Sequence, residues 1–393
     1  MSENLVYLVT GGCGYIGEHI VKLLAIQEYV KEVRVFDMNE SEEIMRCNTA
    51  STSVKFIKGD ITNYEQLLKA VEGVHVVIHT AALLDIFDTV PFKKMKAINV
   101  GGTENVINAC LAKDVPYIVY TSSIAAVGPN INSEPMIRIS RIINGTLFPG
   151  IALPGLSCSR ATEETVYTGE IELSYGKTKQ LAEQLIRQAN GKQTSHGKQL
   201  ATCVIRPSNI YGEKTSNLLD AYLSAKAKNN VINYIEPENI DAQYAYVGNV
   251  AWMHVQAARH LYLKPELLGG EVYYVYDSTP MRQRYKLIYE LFTQVDPSIQ
   301  MGHRIPYWKM WLIINIYNII QYIVRPFWNL KPFMTLPILN IIVTSFSYET
   351  DKAFRHFGYQ PLFNWAECKK RTCEWLKNVV HDVPKQHGKH KET

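Results

Sequence analysis

A short apolar run, Leu5 to Thr10, leads straight into Gly11-Gly12-Cys13-Gly14-Tyr15-Ile16-Gly17, and this junction constrains the fold more than any other part of the chain. Glycines spaced three apart after a β-branched run predict a strand, a tight turn and a helix beginning near Gly14. Gly11 permits the turn, Gly14 lets the backbone approach a phosphate, and Gly17 brings the helix against the strand. Both Gly-x-Gly-x-x-Gly and Gly-x-x-Gly-x-x-Gly fit. The free N–H groups and positive dipole end of such a helix suit a pyrophosphate, so Gly11, Gly14, Tyr15, Ile16 and Gly17 form a candidate dinucleotide site.

The unit repeats along the first half. Strand-like runs at Val33 to Phe36, Val54 to Ile57, Val74 to Thr80, Tyr117 to Ser122 and Thr202 to Arg206 alternate with helical segments near 16–26, 63–72, 93–112 and 176–190. Continuous apolar strands separated by helices predict an α/β protein with a doubly wound, Rossmann-type parallel sheet covered on both faces. The expected organisation is a nucleotide-binding domain over 1–206 and a smaller substrate-binding portion over 207–393. The latter holds strand pieces Tyr244 to Val247 and Glu271 to Tyr276 and helices near 249–262, 282–294 and 364–378.

Composition excludes several classes. With 47% hydrophobic and 20% charged residues in 393, the chain can build a large core. Lys+Arg at 41 against Asp+Glu at 37 leaves a net charge of only +4, which argues against a nucleic-acid partner. The seven cysteines form no Cys-x-x-Cys pair and no zinc-type spacing, so no metal is expected and a reducing compartment is. The N-terminus enters its first strand by Leu5, so no cleavable signal peptide is expected.

Asp37 ends the second strand, 20 residues after Gly17, where a carboxylate can accept hydrogen bonds from the adenosine ribose and repel a 2′-phosphate. With Arg34 inside the strand and no basic residue directly after Asp37, NAD is expected over NADP.

Removing hydride from a secondary alcohol needs a group that takes the hydroxyl proton, and a free tyrosine, with a pKa of about 10, is a poor base near neutrality. A lysine four residues on along a helix shares its face and stabilises the phenolate. The chain has three such spacings: Tyr175/Lys179, Tyr222/Lys226 and Tyr348/Lys352. Only the first follows the strand ending in Thr121-Ser122-Ser123, whose Ser123 can hydrogen-bond the reacting oxygen. Ser123, Tyr175 and Lys179 are therefore the candidate catalytic set, with Lys179 also in reach of the nicotinamide ribose.

Residues Tyr307 to Val324 carry a single charge and many aromatic rings. At 18 residues the segment barely spans hydrocarbon. Asn315, Asn318 and Gln321 share a helical face, and Trp308, Trp311, Trp328, Tyr307 and Tyr322 favour a headgroup boundary, so interfacial attachment over about 307–343 is expected. A buried helix of the substrate portion is the other reading.

Taken together, these residues resemble the extended short-chain dehydrogenases, and among them the 3β-hydroxysteroid dehydrogenase/isomerase family, with its C27-steroid branch nearest. The likeness covers nearly the whole chain. It is carried by Leu5 to His19, by Val76-Val-Ile-His-Thr-Ala81, by Tyr120-Thr-Ser-Ser-Ile124 with Val127-Gly-Pro-Asn130, by Tyr246 to His254 and by Arg355 to Trp365. It implies NAD-dependent oxidation of a 3β-hydroxy-Δ5-steroid at C3 and migration of the double bond to Δ4. It also implies an enzyme at the endoplasmic reticulum membrane with its catalytic domain facing the cytosol, with steroid and membrane lipid as partners and a homo-oligomer allowed. The resemblance gives Asp60 and Ile61 to the adenine and names no proton shuttle for the isomerisation.

Two departures stand out. Ser123 and Tyr175 are 52 residues apart, about twenty more than the resemblance implies, and the excess lies within 131–162, either a lid over the steroid pocket or a mis-translated segment such as a retained intron. The family's Tyr-Pro-x-Ser-Lys is here Tyr175-Gly-Lys-Thr-Lys179. Rival readings are a decarboxylating sterol 3-dehydrogenase, a sugar-nucleotide epimerase and a non-catalytic NAD-binding regulator.

Overall fold

The computed structural model describes residues 4–127, 162–163, 171–238, 242–328, 330–344, 348 and 350–387, together with the backbone of four dipeptides between 137 and 160. Its centre is a seven-stranded sheet of β1 (Leu5–Thr10), β2 (Val30–Asp37), β3 (Ser53–Lys58), β4 (Val76–His79), β5 (Tyr117–Thr121), β6 (Ala201–Arg206) and β7 (Val272–Tyr274). The spatial order is β7-β6-β5-β4-β1-β2-β3 and every pairing is parallel. Strands buried on both faces read as near-continuous apolar runs, and β4 (Val-Val-Ile-His) and β6 (Ala-Thr-Cys-Val-Ile-Arg) are buried at every residue, with His79, Thr202 and Arg206 hydrogen-bonded. Chain direction across the sheet reverses between β1 and β4, which opens a crevice at their C-terminal ends.

Helices α1 (Tyr15–Leu24), α2 (Tyr64–Ala70), α3 (Gly102–Ala112), α4 (Ser174–Ala189) and α5 (Val247–Leu263) cover the two faces. One core joins α1 and α5 to the sheet through Ile20, Leu24, Val250 and Leu261; the opposite core places Val106, Cys110, Ala182 and Ile186 against Leu8, Val77, Ile118 and Val204. The expected single helix over 93–112 is broken. Phe92–Lys96 passes through a π-helical turn, Ala97–Gly101, before α3 begins.

The second half of the chain does not stay apart from the sheet. Strand β7 pairs with β6, and α5 packs on α1 and the sheet, so both belong to the core of the main sheet although they follow residue 206. The remaining elements form their own core from Tyr211, Tyr246, Leu291, Phe292, Cys368 and Leu376.

Helix α6 (Tyr307–Val324) is held from one side only. Met310 and Ile314 are buried with Ile235 and Leu339, and Gln321 Nε2 donates to Leu330 O at 2.6 Å. The opposite face carries Trp308 (61% exposed), Leu312, Ile316, Ile319 (58%) and Ile323 (64%), an apolar stripe turned outward. Asn315 folds back on its own helix by donating to Trp311 O, and of the polar face expected from Asn315, Asn318 and Gln321 the first and last are half-buried while Asn318 is exposed. Among the described residues no helix is long and apolar enough to cross a membrane.

The stretch 131–162 lies outside the described residues except for Thr162 and the backbone of two antiparallel pairs, 137–138 with 159–160 and 142–143 with 146–147.

Candidate active site

The glycine turn is built by backbone contact. Gly11 adopts φ +69°, and a Cβ there would come closer than 3.0 Å to Ala81, so the turn lies against the end of β4. A Cβ on Gly17 would collide with the backbone of Gly11 and Gly12, which seats α1 on the turn. Gly14 faces outward as the residue before α1, no side chain caps that helix, and a Cβ there would meet only Gly11 O. The first amides of α1 thus open onto the crevice, a cradle suited to a pyrophosphate. Tyr15 and Ile16 are partly buried over the turn; the Tyr15 hydroxyl is hydrogen-bonded to Thr215.

Asp37 is fixed at the end of β2. Its carboxylate accepts from Cys13 N at 3.0 Å and Asn39 N at 3.3 Å, which ties it to the glycine turn and leaves lone pairs for hydroxyl donors. Arg34 is committed elsewhere, to Glu32 and to the carbonyls of Ala70 and Glu72. Beside Asp37, a depression of about 340 Å³ is lined by Met38, Lys58, Gly59, Asp60 and Gln66. Ile61 does not line it. Its side chain is buried against Gly102, so only its main chain can face a ligand there.

Ser123 follows β5 and begins a 3-10 turn, Ile124–Ala126, with its Oγ accepting from Ala125 N at 3.1 Å. Tyr175 lies in the first turn of α4. A Cβ at Gly176 would come closer than 3.0 Å to Ala125 O, so glycine lets the first turn of α4 press onto the turn that Ser123 begins. This accounts for the Tyr-Gly pair in place of Tyr-Pro. Burial holds the Tyr175 phenol well above its ordinary pKa, so ionisation near neutrality needs a cation.

Lys179, one turn along α4, is 2% exposed. Its ammonium donates to Thr121 O at 2.6 Å and Tyr120 Oη at 3.3 Å and stands 4.7 Å from the Tyr120 ring centre. Burial lowers its pKa to about 7, opposed by the charge of Glu183. Two buried histidines complete the floor. His79 bridges Thr10 (2.7 Å) and Thr103 (2.9 Å), and His254 bridges Thr121 (2.8 Å) and Val250 O (2.8 Å). Burial lowers their pKa values to about 3 and about 4, so both are neutral near pH 7 and add no charge beside Lys179.

The other two Tyr/Lys spacings have their lysines committed to ion pairs elsewhere. Tyr222 packs edge-on against Phe292 while Lys226 pairs with Asp296 at 2.6 Å. Tyr348 donates to Val275 O and Lys352 pairs with Glu271 at 2.5 Å. Sequence reasoning missed Asn99, which sits in the π turn and donates to Leu83 O (3.0 Å) and Thr178 Oγ1 (3.0 Å), tying α4 to the loop after β4. It also missed Glu183, whose visible signal is its place four residues beyond Lys179 on one helix face, and it had Tyr120 and Thr121 as part of the strand end without the contacts they make to Lys179.

Among the described residues no group of histidine, cysteine, aspartate and glutamate side chains could hold a metal ion.

Comparison with known proteins places these features in a family. A model of the 3-beta hydroxysteroid dehydrogenase/isomerase family matches residues 8–141 and 151–306, leaving 142–150 unmatched inside the stretch the sequence marks as additional. The chain is 37% identical over 376 residues to 3 beta-hydroxysteroid dehydrogenase type 7 of Mus musculus, covering 95% of this chain and 96% of the relative. It is 31% identical over 372 residues to a 3 beta-hydroxysteroid dehydrogenase/Delta 5-->4-isomerase of Vaccinia virus (strain Ankara), covering 95% and 99%. Among solved structures, a UDP-glucose 4-epimerase of Thermus thermophilus in complex with NAD superposes with TM-score 0.60 at 17% identity over 95% of this chain and 100% of that one, a likeness of fold. The chain belongs to the 3-beta hydroxysteroid dehydrogenase/isomerase family.

Proposed function

We propose that this protein oxidises the 3β-hydroxyl of a Δ5-steroid or sterol to the 3-ketone with NAD, and moves the double bond from Δ5 to Δ4. The observation that carries this reading is the seating of Tyr175 and Lys179 on one face of α4, against the turn that begins with Ser123, in a chain of this family. The relatives' names speak of 3β-hydroxysteroid oxidation, and of Δ5 to Δ4 isomerisation in the viral case.

The cradle fits a dinucleotide. Gly11, Gly14, Tyr15, Ile16 and Gly17 would hold the pyrophosphate, Asp37 the adenosine ribose, and Asp60 with the Ile61 main chain the adenine. NAD, when bound, supplies the hydride acceptor. Ser123 orients the substrate hydroxyl, the Lys179 ammonium stabilises Tyr175 as the phenolate and reaches the nicotinamide ribose, and that phenolate takes the hydroxyl proton to become the phenol. The proton shuttle for isomerisation stays unassigned.

Residues 207–393, apart from α5 and β7, form the substrate side. The outward stripe of α6, bounded by Trp308, Tyr322, Phe327 and Trp328, supports attachment at a membrane interface over about 307–343 rather than a span. Six cysteines are free thiols among the described residues, which fits a catalytic domain on the cytosolic side of the endoplasmic reticulum. The apolar stripe also favours a lipid-like alcohol over a sugar nucleotide.

The test is Tyr175→Phe, assayed with a 3β-hydroxy-Δ5 sterol while NADH binding is followed by fluorescence. Turnover should vanish with binding intact; a variant that still turns over removes Tyr175 from the proposed role.

A further inference from the structure

Behind the Tyr175/Lys179 pair lies a buried ion pair that the proton transfer does not use. Glu183 is 4% exposed and Arg206, at the end of β6, is 7% exposed. Arg206 grips the carboxylate with two nitrogens, Nε at 3.0 Å and one terminal nitrogen at 2.5 Å. Ser122, the neighbour of Ser123, donates its Oγ to the same carboxylate at 2.6 Å. On its far side Arg206 donates to Tyr274 Oη at 3.2 Å and lies 5.4 Å from that ring's centre. One carboxylate therefore joins α4, the end of β5, β6 and, through Arg206, β7.

A buried pair with a fork geometry is weak evidence for stability, since apolar residues of similar volume hold a core as well or better. Its position suggests a different use. Glu183 follows Lys179 by one helical turn, so both side chains share the face of α4 that meets β5 and β6. The groups facing Lys179 are Tyr175 and Glu183 from α4, Tyr120 from β5, His79 from β4 and His254 from α5, with Arg206 behind Glu183. Both histidines are neutral near pH 7, and Lys93, Lys94, Lys96 and Glu104 on the neighbouring helical segments are exposed. Glu183 is the carboxylate whose charge acts on Lys179. A lysine this deeply buried loses its proton readily when no anion is near.

The geometry points to Glu183 as a positioning residue: its carboxylate, fixed by Arg206 and Ser122, keeps the Lys179 ammonium charged and seated against β5, so that it can serve Tyr175. This rests on the Tyr175/Lys179 reading above and adds the source of the lysine's charge. Ser122 extends the effect to the strand end, because the same carboxylate anchors the residue before Ser123.

The test compares the full-length protein with Glu183→Gln/Arg206→Met, which removes both charges without leaving an orphaned guanidinium, and with Glu183→Asp, which keeps the carboxylate. With NAD and a 3β-hydroxy-Δ5 sterol, kcat/KM of each protein is followed against pH, beside Tyr175→Phe as a control. The expected result is an alkaline limb, set by loss of the Lys179 proton, moved down by about one pH unit or more in the double variant, and a kcat/KM near pH 7 lowered roughly tenfold. Glu183→Asp should restore both toward the original protein. A folded double variant with an unchanged pH profile overturns the inference and makes the pair purely structural. If the double variant does not fold, the single Glu183→Gln against Glu183→Asp carries the same comparison, and equal profiles overturn it. Should Tyr175→Phe itself retain turnover, the catalytic reading fails instead, whatever the profiles of the Glu183 variants.

Discussion

The Lys179 ammonium donates to the main-chain carbonyl of Thr121 across 2.6 Å, from the inner face of α4 to the last residue of β5. This bond ties α4 to the strand end that Ser123 follows. The proposed catalytic set therefore depends on how α4 docks on β5, and changes to that docking should alter activity before they alter cofactor binding.

Gly176→Ala tests the docking directly. Glycine to alanine in a helix ordinarily stabilises, but here the new Cβ meets Ala125 O, so a loss of about 1–3 kcal/mol is expected. Turnover should fall at least tenfold with NADH binding retained. Thermal melting and steady-state kinetics on the same preparation check it; a more stable, fully active variant contradicts the packing.

Asp37→Ala should weaken NAD relative to NADP by roughly ten- to a hundredfold, the scale of one or two hydrogen bonds to a charged acceptor. Dissociation constants for both nucleotides, measured by fluorescence, decide it, and an unchanged ratio removes Asp37 from the ribose site.

Acid should destabilise the fold in a defined window. His79 and His254 have folded pKa values lowered to about 3 and about 4 by burial, against an ordinary 6.5. The unfolded chain therefore binds protons that the folded chain refuses, and stability is lost as pH falls from about 6.5 toward 4. His254 alone accounts for a loss on the order of 3 kcal/mol. Replacing it with Gln should flatten the fall of melting temperature across that range; a curve as steep as before contradicts the assignment.

Trp308→Ser, Ile316→Ser and Ile323→Ser together remove three of the five residues of the outward stripe of α6 without touching Met310 or Ile314. At roughly 1.5 kcal/mol for each apolar side chain, partitioning onto phospholipid vesicles should drop about a thousandfold. Vesicle flotation measures it, and unchanged flotation means that α6 is not the anchor.

How much of this was readable before the structure follows from where the constraints lie. Strands β1, β4, β5 and β6 announce themselves because burial on both faces forces continuous apolar runs. Strand β2 starts at Val30, three residues before the expected Val33, because Lys31 and Glu32 interrupt the apolar run; Glu32 is tolerated by pairing with Arg34 and Lys55. The run Glu271 to Tyr276 is recognisable as a strand, but nothing in it states which sheet it joins, and it closes the main sheet beside β6. That Gly11 turns between β1 and α1, that Asp37 ends β2 and that Tyr175 and Lys179 share α4 was legible from residue type at local spacing. Asn99 was not, since a π turn inside an apparently regular helix leaves no periodic mark. Arg206 was not either, because its partner Glu183 is 23 residues away and meets it only when α4 folds over β6.

The most direct measurement follows NADH and conjugated-enone absorbance together while membranes containing the protein are incubated with NAD and 3β-hydroxy-Δ5 sterols of different tail length. Both signals should rise in step for at least one sterol. NADH without enone would remove the isomerase step, and the absence of both signals across the panel would contradict the steroid dehydrogenase assignment itself.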